Sequence, residues 1–248
     1  MRSRLAMPAV LTRFDLPEML RSSTGLTKVM RGAPTMEAAA RAQCRYLYDE
    51  LRTITDDRAC VLVRCYKTHP YGELPAELQT FARKQLGADA APAPSMRCLT
   101  LLATVGDEDA WNDRRRSVGH QAIPLPNTAV VERAPMIAEL FRALGVGLER
   151  VVQPTTGIVH DLEGKSYGVF HVRDARNCPY IPAQDFVERH HVRSVVGFGG
   201  SLKTGDMFAT VLFARTVVVS KAADRFRTLA LHVKSNFFEY PAGQVFDS

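Results

Sequence analysis

No apolar run in this chain approaches the ~18 residues that a membrane-spanning helix needs, so no membrane partner is expected. Residues 1–14 place basic side chains around a short apolar patch. Pro8 interrupts the patch and no cleavage site follows, so it does not read as a secretory signal. The five cysteines, Cys44, Cys60, Cys65, Cys98 and Cys178, are an odd number without paired spacing. No disulfide framework or structural zinc signature emerges, which points to a reduced, cytoplasmic chain. A Gly-x-Ser-x-Gly elbow is missing, and with it the usual mark of a serine hydrolase. The glycine-rich stretch 195–203 lacks the Gly-Lys-Ser/Thr ending of a phosphate loop. Charge of one sign is also scarce: 32 Lys and Arg against 26 Asp and Glu give +6 over 248 residues. That small excess favours anionic ligands but is no nucleic-acid footprint.

What is present is a hydrophobic fraction of 46% with 23% charged residues, enough for a sizeable core. Residues 1–34 read as an irregular leader. Within it, 15–21 offers one or two helical turns with Pro17 in the first, and 22–34 reads as a loop. Thr35 is a suitable cap for a helix over about 36–52, where Met36, Ala40, Cys44, Leu47, Tyr48 and Leu51 share a face. A β-branched strand follows at 60–66, then a helix at 74–86 ended by Gly87, and an exposed linker at 88–94. A second strand spans 98–104. Residues 106–116 read as polar and helical around Trp111, and 135–144 as a helix ended by Gly145. Strands are expected at 166–172, 192–198 and 207–213. The last two form a hairpin around Gly199, Gly200 and Gly205, with Gly199 and Gly200 supplying positive φ. Ser220 caps a final helix, to about 238, on which Phe226, Leu229, Ala230, Val233 and Phe237 share a face. No repeat or long linker divides the chain. The reading is one α/β (α+β) domain over 35–240, with a tail at 241–248. Its central, predominantly antiparallel sheet carries the first and last helices together on one face.

Three places carry chemistry. The stretch 111–120 reads Trp-Asn-Asp-Arg-Arg-Arg-Ser-Val-Gly-His. Neighbouring helical residues are about 100° apart, so only one or two of its arginines turn inward. Arg114, Ser117 and His120 then form an anion-binding stripe walled by Trp111, or the segment is a solvated charged loop with one buried tryptophan. Arg64, Lys67 and His69 leave a strand for a loop, either at a pocket mouth or at a plain exposed strand end. His171 faces a pocket or is a hydrogen-bonded structural histidine. A metal or haem remains open, with His69, His120 or His171 as its ligands, and the cofactor itself is unknown from sequence. Cys178 stands in a loop before Pro179 and is the one candidate for thiol redox chemistry. The other cysteines named for that chemistry, Cys60, Cys65 and Cys98, lie on strands and read as small hydrophobes.

The segments 63–69, 98–104, 111–114, 117–125, 170–172, 179–184 and 194–200, with the terminal hairpin and helix, resemble a GAF-type sensory domain. They are similar to those attached to bacterial histidine kinases, serine phosphatases and cyclases. Cys178 stands where the family pattern has a small polar residue, and His190-His191 where it has an aromatic-glycine turn. The resemblance implies a GAF/PAS-like fold and a cytoplasmic small-molecule-sensing domain of bacterial signal transduction without catalysis of its own. It implies a homodimer through the first and last helices and a separate effector such as a kinase. The competing class is a small redox enzyme on the same fold, acting through Cys178. The expected pocket lies between the sheet and segments 111–120 and 177–184. Trp111 and Tyr180 are its walls, and Arg64, Lys67, His69, Arg114, Ser117, His120, His171 and Gln184 its polar groups. A carboxylate- or phosphate-bearing ligand fits them. The geometric condition is that His69, His120 and His171 converge on one cavity.

Overall fold

The computed structural model describes residues 9–87, 89–154 and 168–247. Its strands are β1 (Ala9–Val10), β2 (Leu51–Arg52), β3 (Cys60–Pro70), β4 (Arg97–Gly106), β5 (Ala122–Leu125), β6 (Val169–Val172), β7 (Ser194–Ser201) and β8 (Met207–Ala214). The helices are α1 (Leu16–Met30), α2 (Met36–Glu50), α3 (Ala76–Leu86), α4 (Thr128–Glu132), α5 (Pro135–Ala143), α6 (Leu148–Val152), α7 (Gln184–Arg189), α8 (Ser220–Ala223) and α9 (Phe226–Phe237). Of the strand expected at 166–172, positions 166 and 167 lie outside the described residues, as do 1–8 of the leader, 88 of the linker and 248 of the tail.

Six strands form one antiparallel sheet in the order β5-β4-β3-β8-β7-β6, and β1 pairs with β2 in a separate parallel ribbon. Long runs of Val, Leu, Phe and Ala make β3, β4 and β8 buried central strands. Between Cys65 and Tyr66 the β3–β4 register slips by one, leaving Leu102 as the extra residue of a bulge.

Alternation along each strand sends side chains to two separate layers. Val63, Cys65, Phe198 and Phe208 meet α1, α2 and α9 in one core. Leu62, Tyr66, Val211 and Phe213 meet the segments from α4 to α7 in another. The first and last helices therefore share a sheet face, as their apolar stripes require. The chain carrying α4, α5 and α6 joins β5 and β6, which sit at opposite edges of the sheet.

The loop expected at 22–34 is instead most of α1. Asp15 and Glu18 form a reciprocal capping box, with Asp15 Oδ1 accepting from Glu18 N at 3.0 Å. Serine, threonine and glycine made the stretch look like a loop, yet Thr24 and Thr27 bond the carbonyls four residues back. Burial of Met19, Leu26 and Met30 overrides weak propensity.

The hairpin also differs from expectation. Gly205, with φ +80°, takes the positive-φ position in the β7–β8 turn, while Gly199 and Gly200 lie inside β7 without positive φ. Gly199 has a different reason to lack a side chain: a Cβ there would collide with the backbone carbonyl of Phe208 on the paired strand. Segment 106–116 forms two short 3-10 turns, Asp109–Asn112 and Arg114–Arg116, rather than a helix. The terminal helix is broken into α8 and α9, with Val219 rather than Ser220 at the cap of α8.

Candidate functional site

On the α5 side of the sheet lies a cavity of about 450 Å³. Its floor is Leu62, Arg64 and Tyr66 of β3, Leu99 of β4, and Val211 and Phe213 of β8. The period of two on β3 places Leu62, Arg64 and Tyr66 on one side. Opposite stand Pro135, Met136, Ile137 and Leu140 of α5, with Ile181, Pro182, Ala183 and Phe186 from the segment entering α7. Trp111, His120 and Ile123 close the end.

Trp111 is held by its neighbour's amide. Asn112 Nδ2 donates to Gly106 O and Glu108 O, each at 2.9 Å, which fixes the 3-10 turn against the end of β4. The indole then meets Phe186 edge-on at 5.7 Å, and Phe186 meets Phe213 the same way at 5.3 Å. These rings form a continuous aromatic wall. A second amide shapes the other wall. Gln184 Oε1 accepts from Asn177 N at 2.8 Å, while its Nε2 donates to Ile181 O at 2.7 Å and Ala175 O at 3.1 Å.

Polar groups are few. Arg64 is half-buried, and its Nε is buried without a hydrogen-bond partner. Burial raises the Tyr66 hydroxyl above its ordinary pKa, and the adjacent Arg64 guanidinium opposes that shift. Desolvation, then the Arg64 charge, holds His120 below the usual histidine value. His120 Nδ1 lies 3.0 Å from Val118 O. A carbonyl only accepts, so Nδ1 carries the proton and Nε2 of the neutral ring remains an acceptor.

Of the expected polar set and walls, the structure brings Arg64, Trp111 and His120 together. The others lie elsewhere, so His69, His120 and His171 do not converge and the expected pocket must be redrawn. Lys67 and His69 have the opposite strand parity to Arg64 and face the other side of the sheet. There Lys67 pairs with Asp206, and His69 packs on Phe246 at 5.1 Å. Arg114 turns inward while Arg115 and Arg116 stay exposed, but it meets Glu37 at 2.7 Å and Glu77 at 3.5 Å rather than a ligand space. Ser117 is buried beside that pair's turn. His171 Nε2 donates to Val218 O at 2.8 Å, the structural role. Tyr180 is 41% exposed and does not line this cavity, and Gln184 supports the wall from behind. The histidines offered as metal or haem ligands are thus dispersed. Among the described residues no three His, Cys, Asp or Glu side chains group as a metal site.

Cys178 is half-buried and packs at the margin of the core on this face without lining the cavity. Burial pushes the Cys60, Cys65 and Cys98 thiols up to about 12, and raises Cys44 as well. Their thiolates, the reactive form, are suppressed. Sequence reasoning missed Tyr66, Met136, Ile137, Phe186 and Phe213. The alternation Leu62-Arg64-Tyr66 could have found the first; nothing local marks the rest.

No protein-family profile matches the chain, and no curated protein matches it in sequence. Among solved structures it is similar to the GAF domain of a phosphoenolpyruvate-protein phosphotransferase from Coxiella burnetii. That likeness has 12% identity, covers 89% of this chain and 93% of that one, and has a TM-score of 0.46. The chain is also similar to the free methionine-R-sulfoxide reductase from Neisseria meningitidis, at 11% identity, 93% and 96% coverage and a TM-score of 0.47. An N-acylhomoserine lactone-dependent LuxR-family transcription factor from Burkholderia cenocepacia is a third, at 12% identity, 94% and 100% coverage and a TM-score of 0.43. These are likenesses in fold outline alone.

Proposed function

We propose that this chain is a sensory domain that binds a small, largely apolar molecule in the cavity above β3 and performs no chemistry on it. One observation carries the reading. An apolar space of about 450 Å³ converges on three polar side chains, Arg64, Tyr66 and His120, the composition expected of a small-molecule site. Among the described residues no thiol or Ser hydroxyl lines it, so among them a nucleophile–base pair of the kind that covalent catalysis uses is lacking in that lining. Cys178, the redox candidate, is outside the lining as well, which counts against the thiol reading.

The same strand offers a route for a signal. β3 gives Arg64 to the cavity, while Val63 and Cys65 beside it pack under α1, α2 and α9. A ligand that shifts β3 is felt by the helices on the far face. On the resemblance of its segments to GAF-type sensory regions, the output is a cytoplasmic effector such as a kinase, and a homodimer is the associating form. Among the described residues no helix is long and apolar enough to cross a membrane.

Trp111 is the chain's one tryptophan, so its fluorescence reports the cavity directly. Native mass spectrometry of freshly purified protein should show a small bound molecule, and its removal should change Trp111 emission. Protein that carries nothing, and whose emission ignores a broad panel of small molecules, would defeat the reading. Turnover lost in Cys178→Ser would transfer the function to the thiol.

A further inference from the structure

Arg64 occupies an unusual position for a cation. It sits midway along β3, an interior strand, with Thr104 of β4 and Val211 of β8 as its cross-strand partners. Such floor positions are normally apolar, as Leu62, Leu99 and Val211 are here. Arginine does not lose its proton in proteins, so its charge persists however dry the site becomes. Yet among the described residues Arg64 pairs with no carboxylate, and the cavity lining contains no Asp or Glu. A half-buried cation that lines the cavity, its Nε without a hydrogen-bond partner, asks for one acceptor-rich group in that space.

We infer that the cavity is built for a hydrophobic monoanion: an aromatic or medium-chain carboxylic acid whose carboxylate seats on Arg64. Its apolar body lies between the Trp111–Phe186–Phe213 wall and Met136 and Ile137. This rests on the sensing reading above and narrows it. A single fixed cation suits a single negative charge. Polyphosphates need several cations, and among the described residues the lining supplies Arg64 with a histidine at the rim. A free amino acid would leave its ammonium facing a wall whose described residues offer no carboxylate, an uncompensated charge out of water.

The test uses the whole chain and four probes: 3-phenylpropionate, octanoate, and the neutral amide of each. Binding is read by Trp111 fluorescence and by calorimetry, in wild type and in Arg64→Gln. The acids should bind at least ten-fold more tightly than their amides. In Arg64→Gln that preference should collapse while amide affinity holds, which also shows that the variant has folded. If it does not fold, the wild-type acid-to-amide ratio decides. Whichever acid binds more tightly separates an aromatic from an aliphatic source. Equal affinity for acids and amides overturns the inference but leaves the cavity as a binding site. Silence from all four probes overturns it too, and the sensing reading is then judged separately by whether a molecule co-purifies.

Discussion

Lys67 Nζ lies 2.8 Å from Asp206 Oδ2, with the two side chains only 6% and 8% exposed. Asp206 also faces Arg97 Nη1 at 2.9 Å and accepts from Thr204 Oγ1 at 2.7 Å. One carboxylate thus balances two buried cations at the β7–β8 turn. Burial lowers the Lys67 pKa, and Asp206 works against that shift. Asp206→Ala should therefore destabilise the fold by about 3–5 kcal/mol, since it leaves both cations unpaired. Lys67→Met should cost less, because Asp206 keeps Arg97. Urea unfolding of the two variants checks the order, and an Asp206→Ala loss below about 1 kcal/mol, the scale of an exposed pair, would count the cluster as idle.

His69 beside that cluster should make the protein acid-sensitive. The ring is 3% exposed, and neither nitrogen has a hydrogen-bond partner of good geometry. Burial, then the Lys67 and Arg97 charges, hold its pKa well below the ordinary histidine value. The sign follows from proton counting. Above pH ~6.5 the ring is neutral in both folded and unfolded chains. Below it, the unfolded chain takes up a proton that the folded chain refuses. Stability contributed by the neutral ring is therefore present above that pH and lost as pH falls, at up to about 1.4 kcal/mol per pH unit. Unfolding curves between pH 7.5 and pH ~5 should show this slope in wild type and a shallower one in His69→Phe.

Much of the architecture was legible because its signals were local. The Thr35 cap, the apolar face of α9 and the antiparallel hairpin all appear where the residue pattern places them. α1 was not, because Ser22, Ser23, Thr24 and Gly25 read as a loop until contacts with α2 and α9 are known. Gly25, for instance, leaves room for the Tyr46 ring of α2. In the candidate site, strand parity already separates Arg64 from Lys67 and His69, and treating them as one cluster ignored it. Phe186 and Met136 belong to segments brought over the sheet from far along the chain, and no sequence spacing encodes that meeting.

The C-terminal tail is predicted to work as a strap on α2. Val245 O accepts from Glu37 N at 2.8 Å, and Glu37 Oε2 accepts from Asp247 N at 3.1 Å. The Asp247 carboxylate binds Thr35 and Arg41, and Phe246 covers both His69 and Arg114. Cutting the chain after residue 243 should destabilise it by at least about 2 kcal/mol, through lost apolar burial and unpaired helix N–H groups. Hydrogen exchange should rise first at the opening turn of α2. Unchanged protection at Glu37 would show that the tail is not what holds that turn.

Gln184 offers a way to loosen the cavity wall without touching the cavity. Its amide makes three hydrogen bonds to the backbone of 175–181, including the amide of Asn177, held at φ +54°. It touches neither Arg64 nor the aromatic wall in any of these bonds. Gln184→Ala frees the Asn177 N–H, which is exposed to water, and two part-buried carbonyls, a stability loss of about 1 kcal/mol. The wall at Ile181, Pro182 and Ala183 then loses its fixed shape, and a bound molecule must order it. Affinity should fall several-fold for acids and amides alike, because the cost is one of pre-organisation rather than charge. Trp111 titrations of this variant should therefore lose strength without losing acid preference, the opposite of Arg64→Gln. Equal affinity in Gln184→Ala and wild type would show that the 177–184 turn holds its form without that amide.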